Sequence, residues 1–308
     1  MKRHFRDWNP RGETRQLLAR MLTVIERYQQ LGIRMTLRQL FYQLVAADII
    51  PNNDKYYKKI SEVLGRARMA GLVDWNAIED RTRVPYKHAE WSSLRGLMDS
   101  AEASFRLQRH DGQENYIEIW TEKDAISSVL RPICDEYHVR ISVNRGYSSV
   151  SAMYDAYNRF QRAVDNNLEP VLLYLGDHDA SGLDMDRDIP ARLSEFGVDV
   201  DFNRVGLTQE HIHQYNPPPN PAKLTDPRAR EYIARFGRQS WEVDALPPEV
   251  LNRIVTEAIT SRMDLDSYNR IIEIEDLMRP RILEAGDGMD DEFEDELEEI
   301  EDMRRSVE

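Results

Sequence analysis

Cysteine is almost missing. Cys134 stands alone in 308 residues, which excludes an internal disulfide and a cysteine-built zinc cluster. No run of 18 apolar residues occurs, so no membrane-spanning helix is expected. The opening MKRHFRDWNP has no apolar core of the kind a secretory signal needs, and cytoplasm is the expected compartment. No G-x-x-x-x-G-K-[ST] stretch is found, so the chain brings no phosphate-cradling ATP loop of that type. No internal repeat is visible. What remains, 41% hydrophobic and 31% charged residues, describes a globular protein long enough for two domains.

Positive charge is also scarce overall, with a net charge of −14, but it is unevenly placed. Residues 1–90 hold 17 Lys and Arg against 10 Asp and Glu, whereas residues 284–308 hold 2 Arg against 13 acids. A basic front can hold phosphates on an acidic protein, because the local field decides contact.

Apolar spacing gives the organisation. Residues 13–30 repeat Leu17, Leu18, Met21, Leu22 and Ile25 at helical intervals. Thr36 is placed to N-cap a second helix, LRQLFYQLVAA. KYYKKISEVLGRARMA reads as a third helix, with Ile60, Val63, Leu64 and Ala67 on one face, and GLVDWNAIEDRTRV as a short extended ribbon. Helix, helix, helix, ribbon is the order of a winged-helix, catabolite-activator-like domain, placed at 1–90. Residues 91–114 read as a helical linker. From 115 to 215 short apolar strands (YIEIW, VRISVN, PVLLYLG, VDVDFNRV) alternate with helices, which implies an α/β fold with a doubly wound parallel sheet. Residues 216–283, opening in the proline-rich QYNPPPNPAK, are expected to pack on that sheet, and the acidic tail 284–308 to be disordered.

Ligands of an open parallel sheet gather at the C-terminal ends of its strands. Glu122 follows YIEIW, and Asp177 and Asp179 follow PVLLYLG. Alternate residues of an extended segment point the same way, so Asp177 and Asp179 can share a target while His178 points away. Three crowded carboxylates repel unless a cation sits among them, and oxygen-only donors favour a hard ion, Mg²⁺ or Mn²⁺. The plainer alternative for Asp179 is a helix N-cap.

Glu122-Lys123 after a strand, Gly146-Tyr147 after the next, and Gly-Asp-x-Asp-x-x-Gly at 176–182 resemble a Toprim domain. In detail they resemble the version found in the topoisomerase VI A subunit and the related meiotic double-strand-break protein. The resemblance spans roughly residues 30–270, and the short chain is similar to the free-standing small A-type proteins of that family.

On the second helix Leu37, Leu40, Phe41 and Leu44 form one stripe, while Arg38 and Tyr42, four apart, lie on the opposite side. Tyr42 is therefore expected clear of the core, its phenol beside a guanidinium that favours the phenolate and clamps a phosphate. Read without the resemblance, an isolated tyrosine is more often an interface or partly buried residue. The family has an Arg-x-x-aromatic-Tyr helix, matched here by Arg38-Gln39-Leu40-Phe41-Tyr42, which implies Tyr42 as the nucleophile and Arg38 as its helper. It also implies a homodimer in which one protomer's tyrosine meets the other's metal site, with duplex DNA between, and a nucleoid-associated protein. ATP-driven strand passage would need a separate ATPase subunit.

The implied activity is metal-dependent double-strand cleavage of DNA through a tyrosyl phosphodiester, as in a type IIB topoisomerase A subunit. Two alternatives stay open: a Toprim nuclease that activates water, and a non-catalytic DNA-binding subunit. Lys55, Lys58, Lys59, Arg66 and Arg68, on or near the polar side of the third helix, are candidate DNA contacts or a solvated face, and Arg81 and Arg83 candidate contacts on the ribbon. His211 and His213 share a face if extended but lack a third ligand. Glu242 and Asp244, ahead of Leu-Pro-Pro, read as caps or as metal neighbours. Cys134 reads as core.

Overall fold

A computed structural model describes residues 2–78, 88–91, 93–144 and 149–284. Arg81, Arg83, the Gly146-Tyr147 pair and the tail beyond 284 lie outside the described residues. The chain divides into two compact units, 1–83 with 114–262 and 84–113 with 263–308. This partition differs from the expected one. The basic front and the sheet belong to one unit, and the segment read as a linker joins the C-terminal helix in the other.

In the first unit α1 (Gly12–Gln30), α2 (Leu37–Ala46) and α3 (Asp54–Met69) pack around Met21, Leu40, Leu44 and Ile60, all fully buried. The predicted Thr36 cap is present as a full capping box. Gln39 N donates to Thr36 Oγ1 at 3.2 Å, and Thr36 N donates to Gln39 Oε1 at 2.8 Å. Asn53 caps α3 by accepting from Tyr56 N at 3.1 Å. The expected ribbon after α3 is not seen over 71–78, which form turns, with one parallel bridge between Met35 and Ile78.

The four predicted strands form one all-parallel sheet in the order β2-β1-β3-β4: β1 (Asn115–Thr121), β2 (Arg140–Val143), β3 (Glu169–Leu175) and β4 (Asp201–Gly206). β3 is central and buried on both faces from Val171 to Leu175, which explains its unbroken apolar run. The crossovers are α5 (Asp124–Glu136), α6 (Val150–Asp165) and α7 (Ala180–Phe196); α8 (Gln209–Tyr215) follows β4. Trp120, Leu172 and Tyr174 meet Met153, Phe160 and Ile189 of α6 and α7 in one layer. α5 packs with α10 (Pro248–Thr260), and these two contact β1 and β4. Cys134 is buried on α5 as expected, and burial pushes its thiol up to about 12. Glu118 is a charge inside the protein, fully buried and gripped by Arg159 at 2.6 and 2.9 Å.

Between α8 and α10 the chain crosses the strand ends. β5 (Asn220–Pro221) pairs antiparallel with β6 (Gln239–Ser240), α9 (Ala229–Phe236) lies between them, and a 3₁₀ turn, Val243–Ala245, follows. His178 and Trp241 exchange backbone hydrogen bonds at 2.8 and 3.1 Å, which fastens this excursion beside Asp177.

In the second unit α4 (Leu94–Ser104) precedes residues 105–113, and a helix runs from 265 to 284. Arg109 grips Glu275 at 2.8 and 2.6 Å in a buried pair, and Leu107 N donates to the same carboxylate at 2.9 Å. The extension expected over 216–283 is thus split, with 263 onward in this unit.

Candidate functional site

The strand ends place Glu122 and Asp177 side by side, with Asp177 N at 3.5 Å from Glu122 Oε2. Gly182 lets the turn from β3 into α7 close over Asp177: a Cβ there would stand 2.2 Å from the Asp177 carbonyl oxygen. Arg204 of β4 straps the same loop. Its guanidinium donates to the carbonyls of Gly176 at 3.1 Å and Gly182 at 2.5 Å while paired to Asp186 at 2.9 Å. As expected, His178 turns away from the acids, toward Tyr232, Phe236 and Trp241. Burial brings its imidazole down to about 4.

The three acids have different neighbours. Asp179 is the N-cap of α7, its Oδ1 accepting from Gly182 N at 2.7 Å and Ser181 Oγ at 2.9 Å, with Lys223 Nζ 3.7 Å from Oδ2. The capping role is therefore real, and it leaves the outer oxygen on the side of Lys223. Asp177 Oδ1 accepts from Val243 N and from Lys123 Nζ, each at 2.9 Å. Burial, with Asp244 and Glu122 nearby, raises the Asp177 carboxyl to about 7 even though Lys123 opposes the shift. The Glu122 carboxyl is raised first by burial and then by Asp179.

Residues the sequence reading undervalued complete the site. Glu242 and Asp244 do not cap α10, whose N-cap is Pro247. They turn inward instead. Lys123 Nζ sits 2.9 Å from each of Asp177, Glu242 and Asp244. Arg38 pairs with Glu242 and lies 2.9 Å from Asp244. Three carboxylates share two cations, and this negative charge adds to burial, the larger cause, in favouring a proton on Asp177.

Tyr42 corrects the helical-wheel expectation. It is 5% exposed, because α2 is covered on one side by α1 and α3 and on another by the 3₁₀ turn. Its hydroxyl hydrogen bonds Glu242. Burial and then Glu242 push the phenol above its ordinary value, while Arg38, 5.7 Å from the ring centre, opposes this more weakly. The expected bias toward phenolate is thus reversed. Burial raises Glu242 as well, but Lys123, the Tyr42 hydroxyl and Arg38 outweigh it and hold the carboxyl at about 2.

Tyr42, Arg38, Glu242, Asp179, Lys223 and Asn220 line one cavity of about 530 Å³. Tyr42 and Asp179 thus line one cavity within a single chain. Among the described residues no three His, Cys, Asp or Glu side chains are placed to close on one ion. The donor set nevertheless suits a hard cation in part. Mg²⁺ is commonly held by one or two carboxylates, with waters or phosphates filling the rest of its shell. Glu122 and Asp179 fit that pattern, and Asp177, engaged by Lys123 and Val243 N, does not join them in this arrangement.

Of the candidate DNA contacts, Lys55 and Lys58 are exposed on α3. Lys59 pairs with Glu13 at 3.8 Å and Arg66 with Glu62 at 2.6 Å. Arg68 is committed elsewhere: it lies 4.5 Å from the Trp75 ring centre and donates to the carbonyls of Trp75 and Ile78 at 2.8 and 3.2 Å. His211 and His213 sit on α8, where residues two apart point to different sides, so they do not share a face. No protein-family model matches the chain, and no curated protein gives a significant match.

Proposed function

We propose that this chain cleaves DNA by a metal-assisted tyrosyl transfer of the topoisomerase VI A-subunit type. The observation that carries the reading is the shared cavity, in which Tyr42, Arg38 and Glu242 stand with Asp179 and Lys223. An all-parallel sheet with acids past the ends of two adjacent strands suits a Toprim-type domain, and the three helices before it suit a winged-helix-type front.

Arg38 and Lys223 are the cations that would take the phosphodiester. An arriving phosphate competes with Glu242 and Asp244 for Arg38. The Tyr42 proton leaves to solvent, because Glu242, held at about 2, is too weak a base to keep it. The phenolate oxygen forms a bond to phosphorus, the bond from phosphorus to one sugar oxygen breaks, and that oxygen takes up a proton. The proton lost by Tyr42 matches the one gained by the sugar oxygen, so the step is neutral overall. A magnesium or manganese ion on Glu122 and Asp179 would neutralise phosphate charge. A double-strand break needs two such cavities, hence a homodimer on duplex DNA, and a strand-passage cycle would draw on a separate ATPase.

The second reading is a nuclease in which water attacks, and the raised, buried phenol of Tyr42 favours it. Incubating the protein with duplex DNA and Mg²⁺ or Mn²⁺, then quenching with detergent, separates the two. Tyrosyl transfer gives a protein-linked DNA band that Tyr42→Phe abolishes. Cleavage that survives Tyr42→Phe assigns the attack to water. Salt-sensitive binding without cleavage assigns the chain a non-catalytic role.

A further inference from the structure

Away from that cavity, the N-terminal segment builds a second surface on the end of α3. Residues 4–6 are pinned there. Phe5 N and Arg6 N both donate to Met69 O, at 2.8 and 3.1 Å, and His4 bridges Ala70. Gly71 permits the approach: it has φ +70°, and a Cβ would stand 3.2 Å from His4 N. The segment is thus a constructed edge, yet it leaves Phe5 60% exposed. Phe5 stands perpendicular to Trp75, at 5.9 Å and 83°, while the Arg68 guanidinium lies 4.5 Å from the Trp75 ring centre.

Two adjoining pockets open on this edge, and Met69 lines both. One, of about 580 Å³, combines Arg3 with Phe5 and Trp75. The other, of about 430 Å³, combines Arg6 with Trp8. Each pairs aromatic surface with an arginine. An apolar groove built only for a protein helix has no need of a cation beside each ring. A polyanion with flat, apolar side groups does, because bases stack on aromatic faces while its phosphates are neutralised. The surrounding chain, 17 basic against 10 acidic residues over 1–90, has the matching sign.

We propose that this edge binds unpaired nucleic-acid strand, one base against Phe5 and Trp75 and its neighbour against Trp8, with Arg3 and Arg6 on the intervening phosphates. A paired strand keeps its bases stacked inside the duplex and cannot use these pockets. The surface is distinct from the cavity holding Tyr42, and the inference does not depend on the chemistry proposed there.

The test is fluorescence anisotropy with a labelled oligothymidine and with a matched duplex, at one fixed salt concentration. Phe5→Ala is expected to weaken oligothymidine binding about tenfold while duplex affinity changes less than twofold. Phe5→Tyr, which keeps a stacking face, is expected to restore it. Arg3→Ala is expected to lower the salt slope for the single strand by about one. A thermal unfolding curve for each variant checks that the fold is kept. The proposal is overturned if the unaltered protein does not bind oligothymidine, or if Phe5→Ala leaves that binding unchanged or weakens both ligands equally. Loss of the Tyr42 adduct on duplex DNA would leave these readouts untouched, so the two ideas fail separately.

Discussion

Asp177 shows how far a residue's neighbours can overrule its type. Its carboxyl, raised to about 7 by burial and by Asp244 and Glu122, holds a proton in the folded chain at a pH where the unfolded chain has lost it. Between about pH 4 and pH 7 the native state therefore binds more protons, and stability falls as pH rises through that window. Asp177→Asn is expected to flatten that part of the profile, measured as the denaturant midpoint at half-unit pH steps. An unchanged slope would show that the proton resides elsewhere. Arg68 teaches the same lesson from the basic side. Its guanidinium is bound to the carbonyls of Trp75 and Ile78, so Arg68→Ala is expected to lower stability by about 1–3 kcal/mol, with duplex affinity unchanged in a titration.

The loop from β3 to α7 is built by contacts a side chain at 182 would forbid. Gly182→Ala places a Cβ 2.2 Å from the Asp177 carbonyl oxygen, so the loop must open at a cost of about 1–3 kcal/mol. Lower thermal stability together with a weakened Arg204 strap is the expected outcome, and a variant as stable as the parent would show that the loop relaxes freely. Much of this region was legible in the sequence. The strands announced themselves by apolar runs and by alternation with helices, and the acids by their positions just past two strands. The environment of Tyr42 was not legible, because a helical wheel records one buried face and α2 is covered on two. Nor were Glu242 and Asp244, which reach Lys123 from 119 and 121 residues further along the chain. No local pattern encodes such a meeting. Arg204 gave no signal either, since an arginine in a strand reads as a surface residue until its carbonyl partners are seen.

The molecule joins a basic three-helix front and an acid-tipped sheet in one unit and carries a second unit beside them in sequence. Duplex DNA on the proposed front should feel the exposed Lys55 and Lys58. Replacing both with alanine is expected to reduce the slope of log affinity against log salt by about two while leaving the base preference alone. An unaltered slope would move the duplex to another face. Assembly order also follows from the cluster around Lys123. Arg38 finds Glu242 across 204 residues, and Arg27 finds Glu249 across 222. The helix that carries Tyr42 is synthesised before the acids that anchor it. A chain interrupted anywhere before residue 242 holds its tyrosine with no carboxylate partner from that turn. The cavity can therefore close only after residue 242 has been synthesised, so its lining is completed late relative to the helix that carries Tyr42.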